Sequence, residues 1–140
     1  MQAYNYLLID IEKLIIESLI MTYIGVDVIE ISRIEKAILN RGERFLRRVY
    51  TEKEIASYGR NFSSLAARFA AKEAVIKALD AANRISFVTV EILNDKGGKP
   101  VVNLYGKASE LAGKLGIAGF AISLSHSKDV AIAMVIGETA

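Results

Sequence analysis

The sequence predicts an α+β domain in which a hairpin-linked, mainly antiparallel sheet packs on a long central helix. Three observations support this class. Helical and β-rich segments are mixed without a repeated strand–helix–strand order, four β-rich segments form two adjacent pairs, and one alanine-rich stretch contains neither glycine nor proline. The length of 140 residues and the lack of a Pro-, Gly- or Ser-rich linker favour one domain.

The first element is an apolar N-terminal stretch that is predicted to be helical. Its apolar side chains recur at helical spacing on one face: Leu7, Leu8, Ile11, Leu14, Ile15 and Leu19. The uncharged run Ser18–Val26 is far shorter than the ~20 residues of a membrane span, and the basic leader and cleavage site of a secretory signal are missing. We expect residues 1–20 to be a helical extension or an upstream start-site artefact, and residues 21–140 to form the domain.

A strand and two short helices are predicted next. Tyr23–Ile29 alternates in β fashion and predicts the strand. Two pairs of residues have the spacing of a capping box, which marks a helix start: Ser32 with Glu35, and Thr51 with Glu54. The first helix is expected to end near Asn40–Gly42 and the second at about Tyr58.

The central helix and two hairpins complete the predicted fold. The alanine-rich helix is expected over Ser63–Ala82. The later elements are two strands, a helix and two further strands: Phe87–Leu93, Val101–Leu104, Lys107–Leu115, Ala121–Ser125 and Val130–Ile136. Turn residues at Asp95–Pro100 and His126–Asp129 predict that the strands pair as hairpins.

Composition argues against several classes of function. Without cysteine there are neither disulfides nor thiolate metal sites, which is compatible with a reducing cytoplasm. A net charge of +2 is too small for a general nucleic-acid binder, although four arginines cluster: Arg41, Arg44, Arg47 and Arg48. A mean hydropathy of +0.30 indicates either apolar surface buried between subunits or a helical core rich in alanine.

Two sets of charged residues are candidates for a site. Asp27 stands among apolar residues of the first strand, where a charge needs a partner, a metal or a solvated face. Glu73 and Lys77 are four residues apart and therefore neighbours on the central helix, with Arg68 and Lys72 as an adjacent stripe. A surface ion-pair ladder has the same spacing, but the apolar sequence around these charges indicates a largely buried helix.

The turn of the second hairpin is a candidate phosphate-binding surface. It contains His126, the only histidine, next to Ser127 and Lys128. A lone histidine in a loop is more often incidental than catalytic. The sequence contains no P-loop, no dinucleotide-binding fingerprint and no nucleophile-elbow motif.

Three segments together resemble the holo-acyl-carrier-protein synthase family of small phosphopantetheinyl transferases. Gly25–Ile34 is similar to the family's G-x-D-x-x-E-x-x-R-I opening, and Arg68–Ala78 to its R-F-A-x-K-E-A-x-x-K-A signature. Ile122–Ser127 is similar to its V-S-I-S-H element. The resemblance extends from Gly25 to about Ile136 and implies the 4′-phosphopantetheinyl transferase-like fold.

The resemblance also implies an activity: Mg²⁺-dependent transfer of 4′-phosphopantetheine from coenzyme A to a serine of an apo-acyl carrier protein, with release of 3′,5′-ADP. It implies that Asp27 and Glu73 hold the metal and that Lys77 neutralises or protonates the leaving phosphate. The implied coenzyme A contacts are Arg68, Lys77, His126 and Ser127. The base for the serine proton stays open between a water on the metal, Asp27 and Glu73.

The resemblance implies partners as well. It describes a cytoplasmic homotrimer of lipid metabolism, with sites at the subunit interfaces and a role in fatty acid biosynthesis or polyketide synthesis. Carrier proteins are acidic, so Arg33, Arg41 and Arg44 are candidates to dock one. Neither nucleic acid nor a membrane is expected as a partner.

One segment departs from the family pattern. The glycine-rich loop that usually follows the Lys-Ala of the signature is replaced by Leu79–Arg84, which lacks glycine and includes Asp80, and the helix is expected to continue into it. Two alternatives follow: a transferase with altered donor or carrier preference, and a non-catalytic homologue that binds coenzyme A or a carrier protein. A nucleic-acid module built on Arg41–Arg48 fits the near-neutral charge poorly.

Overall fold

The computed structural model describes residues 2–19 and 22–139. Its elements are, in chain order, α1 (Gln2–Leu19), β1 (Tyr23–Glu30), α2 (Ile31–Arg41), α3 (Glu43–Val49), α4 (Glu52–Tyr58), α5 (Phe62–Ala78), β2 (Val90–Asn94), β3 (Pro100–Leu104), α6 (Gly106–Lys114), β4 (Ile117–His126) and β5 (Val130–Thr139). The predicted α+β class is confirmed, since mixed helices surround strands that pair only in the antiparallel sense within the described chain.

The strands form two antiparallel sheets. One contains three strands in the order β1-β5-β4, and the other is the β2–β3 hairpin. Asp27 of β1 lies opposite Ala133, and His126 of β4 lies opposite Ala131. The central strand β5 therefore joins the two strands that carry predicted site residues, and both predicted hairpins are confirmed.

The inner face of the three-stranded sheet packs against α5, and small residues let the two approach closely. Fully buried alanines line the contact: Ala66, Ala70, Ala71 and Ala74 on the helix, and Ala131 and Ala133 on β5. A Cβ atom on Gly25 of β1 would lie 1.8 Å from the carbonyl oxygen of Ala74. Glycine is therefore required at this crossing, and it brings the strand, with Asp27, against the helix.

The outer face of the same sheet is apolar and exposed in the described chain. Its large side chains come from two neighbouring strands: Ile24, Val26 and Val28 of β1, and Ile132, Met134 and Ile136 of β5. Asp27 points to the opposite, inner face. Asp27 thus points away from Val26 and Val28 as the alternation predicts, but that face is covered by α5, so the alternative of a solvated face is wrong.

Side chains of α4 and α5 form hydrogen bonds with the backbone groups on the edge of β2 that does not pair with β3. Four contacts cap this edge: Lys72 Nζ donates to the carbonyl of Val90, Glu54 Oε2 accepts from Ile92 N at 3.0 Å, Arg68 Nε donates to the carbonyl of Ile92 at 3.1 Å, and Tyr58 Oη accepts from Asn94 N at 3.0 Å. Lys72 and Glu54 also form a fully buried ion pair of 2.7 Å. Burial lowers the pKa of Lys72, against the opposing effect of Glu54.

The helix starts were predicted with mixed success. The Thr51–Glu54 capping box is confirmed, with both reciprocal bonds formed. Ser32 is not an N-cap, because α2 already begins at Ile31 and no side chain caps its first turn. α5 begins at Phe62, one residue earlier than expected. Asn61 caps it, since its side-chain oxygen accepts a hydrogen bond from Ser64 N at 3.0 Å.

Other boundaries differ from the prediction in the regions without a strong pattern. α5 ends at Ala78 rather than Ala82, because Asp80 adopts a left-handed φ of 49° and Ala81 N bonds back to the carbonyl of Ile76 at 3.0 Å. Residues Phe87–Thr89 form a 3-10 turn and not a strand. The arginine-rich segment Glu43–Val49 is a helix that was not predicted.

The N-terminal segment forms the expected helix, but its described side chains do not join the core. None of the described α1 side chains belongs to the buried core or to the apolar residues packed against it. Leu19, which the predicted face included, has a side chain outside the described part. No helix within residues 2–19 and 22–139 combines the length and apolar character that a membrane crossing needs.

Candidate active site

Asp27, Glu73 and Lys77 meet where β1 crosses α5. Lys77 Nζ donates to Asp27 Oδ1 at 3.0 Å and to the backbone carbonyl of Val26 at 2.9 Å. The Asp27 side chain is 19% exposed and the Lys77 side chain 54%, so this ion pair lies at the boundary between the core and solvent. The structure therefore joins the strand carboxylate to the helical Glu/Lys pair.

The electrostatics of this cluster favour a bound cation. Burial and then the negative charge of Asp27 raise the pKa of Glu73, while Lys77 opposes the rise. A carboxylate whose ionisation is disfavoured by burial and by a neighbouring negative charge is stabilised in its charged form by a nearby cation. Hard carboxylate oxygens in small number fit Mg²⁺, which usually keeps waters and substrate phosphate oxygens as its other ligands.

A fuller protein ligand set is not present in the described chain. Within residues 2–19 and 22–139, no group of three or more His, Asp or Glu side chains is arranged to hold a metal ion.

A cavity of about 330 Å³ opens beside the first half of α5. Its walls come from α5, the β2–β3 hairpin and the end of β4, with polar groups from Ser64, Arg68, Asn94, Ser123, Ser125 and His126. Arg68 and His126, two of the four expected coenzyme A contacts, are thereby brought together. Lys77 lies instead in the carboxylate cluster, about 13 Å further along the axis of α5 by the helical rise.

Arg68 is fixed within the cavity wall. It is almost fully buried, and its guanidinium lies 3.4 Å from the centre of the Tyr58 ring. Besides its bond to β2, it donates to the Ser64 carbonyl at 3.3 Å and to Asn94 Oδ1 at 3.0 Å. Arg68 thus supplies a positive charge whose position is set before any ligand arrives.

His126 and Ser127 differ in their surroundings. His126 is exposed at the end of β4, with Nδ1 3.3 Å from the carbonyl oxygen of Ser127. The Ser127 hydroxyl accepts from the backbone N–H groups of Asp129 and Val130, each at 3.3 Å, and so orders the turn. Ser127 does not belong to the residues that line the cavity.

The predicted docking arginines lie on two consecutive helices. Arg33 and Arg41 belong to α2 and Arg44 to α3, and all three side chains are exposed. Arg47, in contrast, forms ion pairs with Glu43 at 3.0 Å and Glu52 at 3.8 Å.

Sequence reasoning missed several residues that build the site. Ser64 and Asn94 were not singled out, although both line the cavity and contact Arg68. Glu54 was noticed only as a cap, whereas it also neutralises Lys72. The roles of Asn94 and Glu54 depend on contacts between distant segments, which no local pattern marks. Ser64 contacts Arg68 within α5 through its backbone carbonyl, which any residue would offer there.

Comparison with known proteins gives consistent matches to one family. The model of the 4′-phosphopantetheinyl transferase superfamily matches residues 23–135. The chain is 50% identical over 118 residues to the holo-[acyl-carrier-protein] synthase of Dehalococcoides mccartyi strain CBDB1, covering 84% of this chain and 99% of that protein. It is 46% identical over 125 residues to the enzyme of the same name from Herpetosiphon aurantiacus, covering 84% and 98%.

Solved structures agree. The Helicobacter pylori holo-[acyl-carrier-protein] synthase in complex with coenzyme A aligns with a TM-score of 0.74 and 32% identity, covering 82% of this chain and 99% of that one. The Plasmodium yoelii acyl carrier protein synthase with ADP bound aligns with a TM-score of 0.76 and 30% identity, covering 84% and 94%.

Proposed function

The chain belongs to the 4′-phosphopantetheinyl transferase superfamily, and we propose that it transfers 4′-phosphopantetheine from coenzyme A to a serine of an apo-acyl carrier protein. The matches to proteins of this activity and the complex of one of them with coenzyme A support the reaction. The observation that carries the proposal for this chain is the meeting of Asp27 of β1 with Glu73 and Lys77 of α5, the helix that also walls the cavity of Arg68 and His126.

In the proposed reaction the serine oxygen attacks the β-phosphorus of coenzyme A. The bond between that phosphorus and the oxygen of the α-phosphate breaks, and 3′,5′-ADP leaves. Asp27 and Glu73 would hold Mg²⁺, which would supply positive charge to the transferring phosphoryl oxygens. Lys77, anchored on the Val26 carbonyl, neutralises or protonates the leaving phosphate. Asp27, Glu73 and water remain the candidates that accept the serine proton.

The proposed coenzyme A contacts divide between the two clusters. The fixed charge of Arg68 and the exposed imidazole of His126 suit phosphate groups in the cavity. Ser127 is proposed as a weaker contact, since its hydroxyl oxygen already accepts two N–H groups and retains its own proton as a donor. The exposed arginines Arg33, Arg41 and Arg44 are proposed to receive an acidic carrier protein.

We further propose that residues 21–140 form the transferase domain and that it assembles as a homotrimer with interfacial sites. The exposed apolar outer face of the three-stranded sheet supports association, because contiguous apolar surface of this kind is rare on monomers. The proposed location is the cytoplasm, with which a chain lacking cysteine is compatible. The proposed role is in fatty acid or related lipid synthesis.

The segment Leu79–Arg84 bears on the two alternatives, altered preference and loss of catalysis. Although it contains no glycine, Asp80 and Asn83 adopt left-handed φ values of 49° and 62°. The backbone thus makes turns that usually require glycine, at some cost in strain. This geometry supports a loop that still turns back after α5, and hence retained coenzyme A binding.

The decisive experiment is incubation of the protein with coenzyme A, Mg²⁺ and an apo-acyl carrier protein, followed by mass spectrometry of the carrier. We expect the mass gain of one phosphopantetheine. Asp27→Ala and Glu73→Ala should abolish the gain, while Glu110→Ala, which removes an exposed carboxylate on α6, should leave it unchanged. No gain on any carrier would reject the transferase function, and full activity in both site variants would reject the metal assignment.

The docking assignment has its own test. Arg44→Glu should raise the KM for the carrier about tenfold through lost charge complementarity. The KM for coenzyme A should change little. Arg60→Glu, an exposed arginine before α5, is the matched control. A raised KM for coenzyme A with an unchanged KM for the carrier would show that the docking surface does not include Arg44 of α3.

A further inference from the structure

α1 has more exposed large apolar side chains than any other described helix. They are Tyr6, Leu7, Leu8, Ile9, Ile11, Leu14, Ile15 and Ile16, with exposed fractions between 44% and 69%. Most helical stability in proteins comes from packing of an apolar face, so an 18-residue helix with this exposure lacks a main source of stability unless it packs on another surface. α1 also lies outside residues 23–135 that match the family.

The sequence of α1 repeats after seven residues. Leu7-Leu8-Ile9-Asp10 is followed by Leu14-Ile15-Ile16-Glu17, so three apolar residues and one acidic residue recur in the same order. A seven-residue apolar repeat is the pattern of helices that pack along one another. The apolar positions span a wide arc of the helix, which suits contact with more than one neighbouring helix.

The charges of α1 distinguish between possible partners. Lys13 is its only basic side chain, against Asp10, Glu12 and Glu17. Helices that lie on membranes are typically rich in Lys and Arg on the polar face, because lipid surfaces are anionic. The net negative charge therefore disfavours a membrane surface.

A second copy of the chain is the partner that the position of α1 favours. Only residues 20–22 separate α1 from β1, whose outer side chains Ile24, Val26 and Val28 form the exposed apolar face. If that face meets other copies, as proposed above, their α1 helices start close together and extend the same apolar surface. This step rests on the proposed assembly, whereas the repeat and the exposure do not.

We propose that α1 helices from separate copies of this chain pack against one another through the apolar repeat centred on Ile11. α1 is then a self-association element that the matched part of the family lacks.

Disulfide trapping tests this proposal directly, since the full-length chain has no cysteine of its own. Ile11 lies at the middle of α1, so Ile11→Cys meets its counterpart whether the packed helices run parallel or antiparallel. Lys13→Cys, two residues away on another side of the helix, is the matched control. Under mild oxidation we expect about tenfold more linked dimer from Ile11→Cys, because a disulfide needs closely spaced Cα atoms. Equal yields, or none from Ile11→Cys, would overturn the proposal.

Hydrogen exchange of the α1 amides in the unmodified protein separates the possible occupants. Protection that falls on dilution supports packing between copies. Protection that is independent of concentration indicates that α1 folds onto its own chain, and protection that appears only with phosphatidylglycerol vesicles indicates a membrane; either result overturns the proposal. The transfer assay is separate, so failure of transfer rejects the proposed function without deciding the α1 contact.

Discussion

The inner and outer faces of the three-stranded sheet differ in the size of their side chains and in what covers them. The inner face presents Gly25, Ala131 and Ala133 to α5, and these positions are buried. The outer face presents Val26 and Met134, which are 50% and 44% exposed. One strand, β1, contributes to both faces through strict alternation.

The difference shows how one strand supports two separate tasks. Small inner residues allow the backbone of β1 to contact α5, and this contact brings Asp27 within 3.0 Å of Lys77. Large outer residues cannot serve that purpose, and within the described chain they have no core to fill. Their exposure is typical of an interface between proteins. The inner face therefore determines the site, and the outer face is available for assembly.

The largest expected effect comes from breaking the inner contact. In Gly25→Val, the new Cβ atom would lie 1.8 Å from the carbonyl oxygen of Ala74. This oxygen belongs to the backbone, so it cannot rotate away as a side chain could. We expect the free energy of unfolding to fall by more than about 3 kcal/mol. Urea denaturation at fixed protein concentration measures this.

The neighbouring residue supplies the control for that experiment. Val26→Ala removes two methyl groups from the half-exposed outer face and should lower the free energy of unfolding by less than about 1.5 kcal/mol. If Gly25→Val were as stable as Val26→Ala, the close approach of β1 to α5 would not be a requirement of the fold.

The next effect comes from charging the outer face. Val26 and Met134 are directly opposite in register, so Val26→Glu with Met134→Glu puts two like charges side by side on this surface. Association should weaken about a hundredfold or more, because both charges lose water when the face is covered. Light scattering over a dilution series measures the change, with transfer activity recorded in parallel.

The control for the outer face is an exposed apolar residue elsewhere. Leu39 is 72% exposed and belongs to α2 rather than to the sheet, so Leu39→Glu should leave the molecular mass unchanged. An unchanged mass in the double variant of the sheet would show that this face is not the interface.

Local patterns were sufficient to predict the order of the main elements. The turn residues defined both hairpins, and the run of alanines defined α5, because these signals lie within a few residues of one another. They did not predict which face of β1 is covered. Alternation distinguishes two faces, but it does not say which one meets a helix. The exposed valines and the inward Asp27 reverse the usual assignment of apolar residues to the core.

The site was predicted less completely, and for a similar reason. Local patterns singled out candidate residues and the resemblance to a family supplied their roles, whereas the structure adds the contacts between distant segments. Arg68 is buried because it caps a strand edge 24 residues away in sequence, which its position on a helical stripe does not reveal. The predicted end of α5 was wrong because Asp80 takes a left-handed conformation, which occurs mainly at glycine and asparagine.

The smallest expected effect concerns the pKa of Glu73, beside Asp27 on the inner face, and its effect on stability. Burial and Asp27 raise the pKa of Glu73 above its ordinary value of 4.5. Between the ordinary pKa and the raised pKa of the folded state, the folded protein keeps a proton on Glu73 that the unfolded chain has released. The stabilisation from this proton is therefore full below the ordinary pKa and is lost as pH rises through the raised pKa. Without metal, Glu73→Gln should therefore be more stable at pH 7 by less than about 1 kcal/mol, since the site is partly solvated. The difference should disappear at a pH of about 3, below the ordinary carboxyl range.

Adding Mg²⁺ should make the unmodified protein more stable than Glu73→Gln at pH 7. At a Mg²⁺ concentration ten times its Kd, the unmodified protein should gain about 1.4 kcal/mol, because the ion binds only the folded state. Glu73→Gln loses one of the two carboxylates and should gain much less, while Glu110→Gln, on the exposed face of α6, should respond like the unmodified protein. Thermal unfolding with and without the ion measures all three. Equal stabilisation of all three proteins would mean that the ion acts elsewhere, and the raised pKa of Glu73 would then reflect burial beside Asp27 alone.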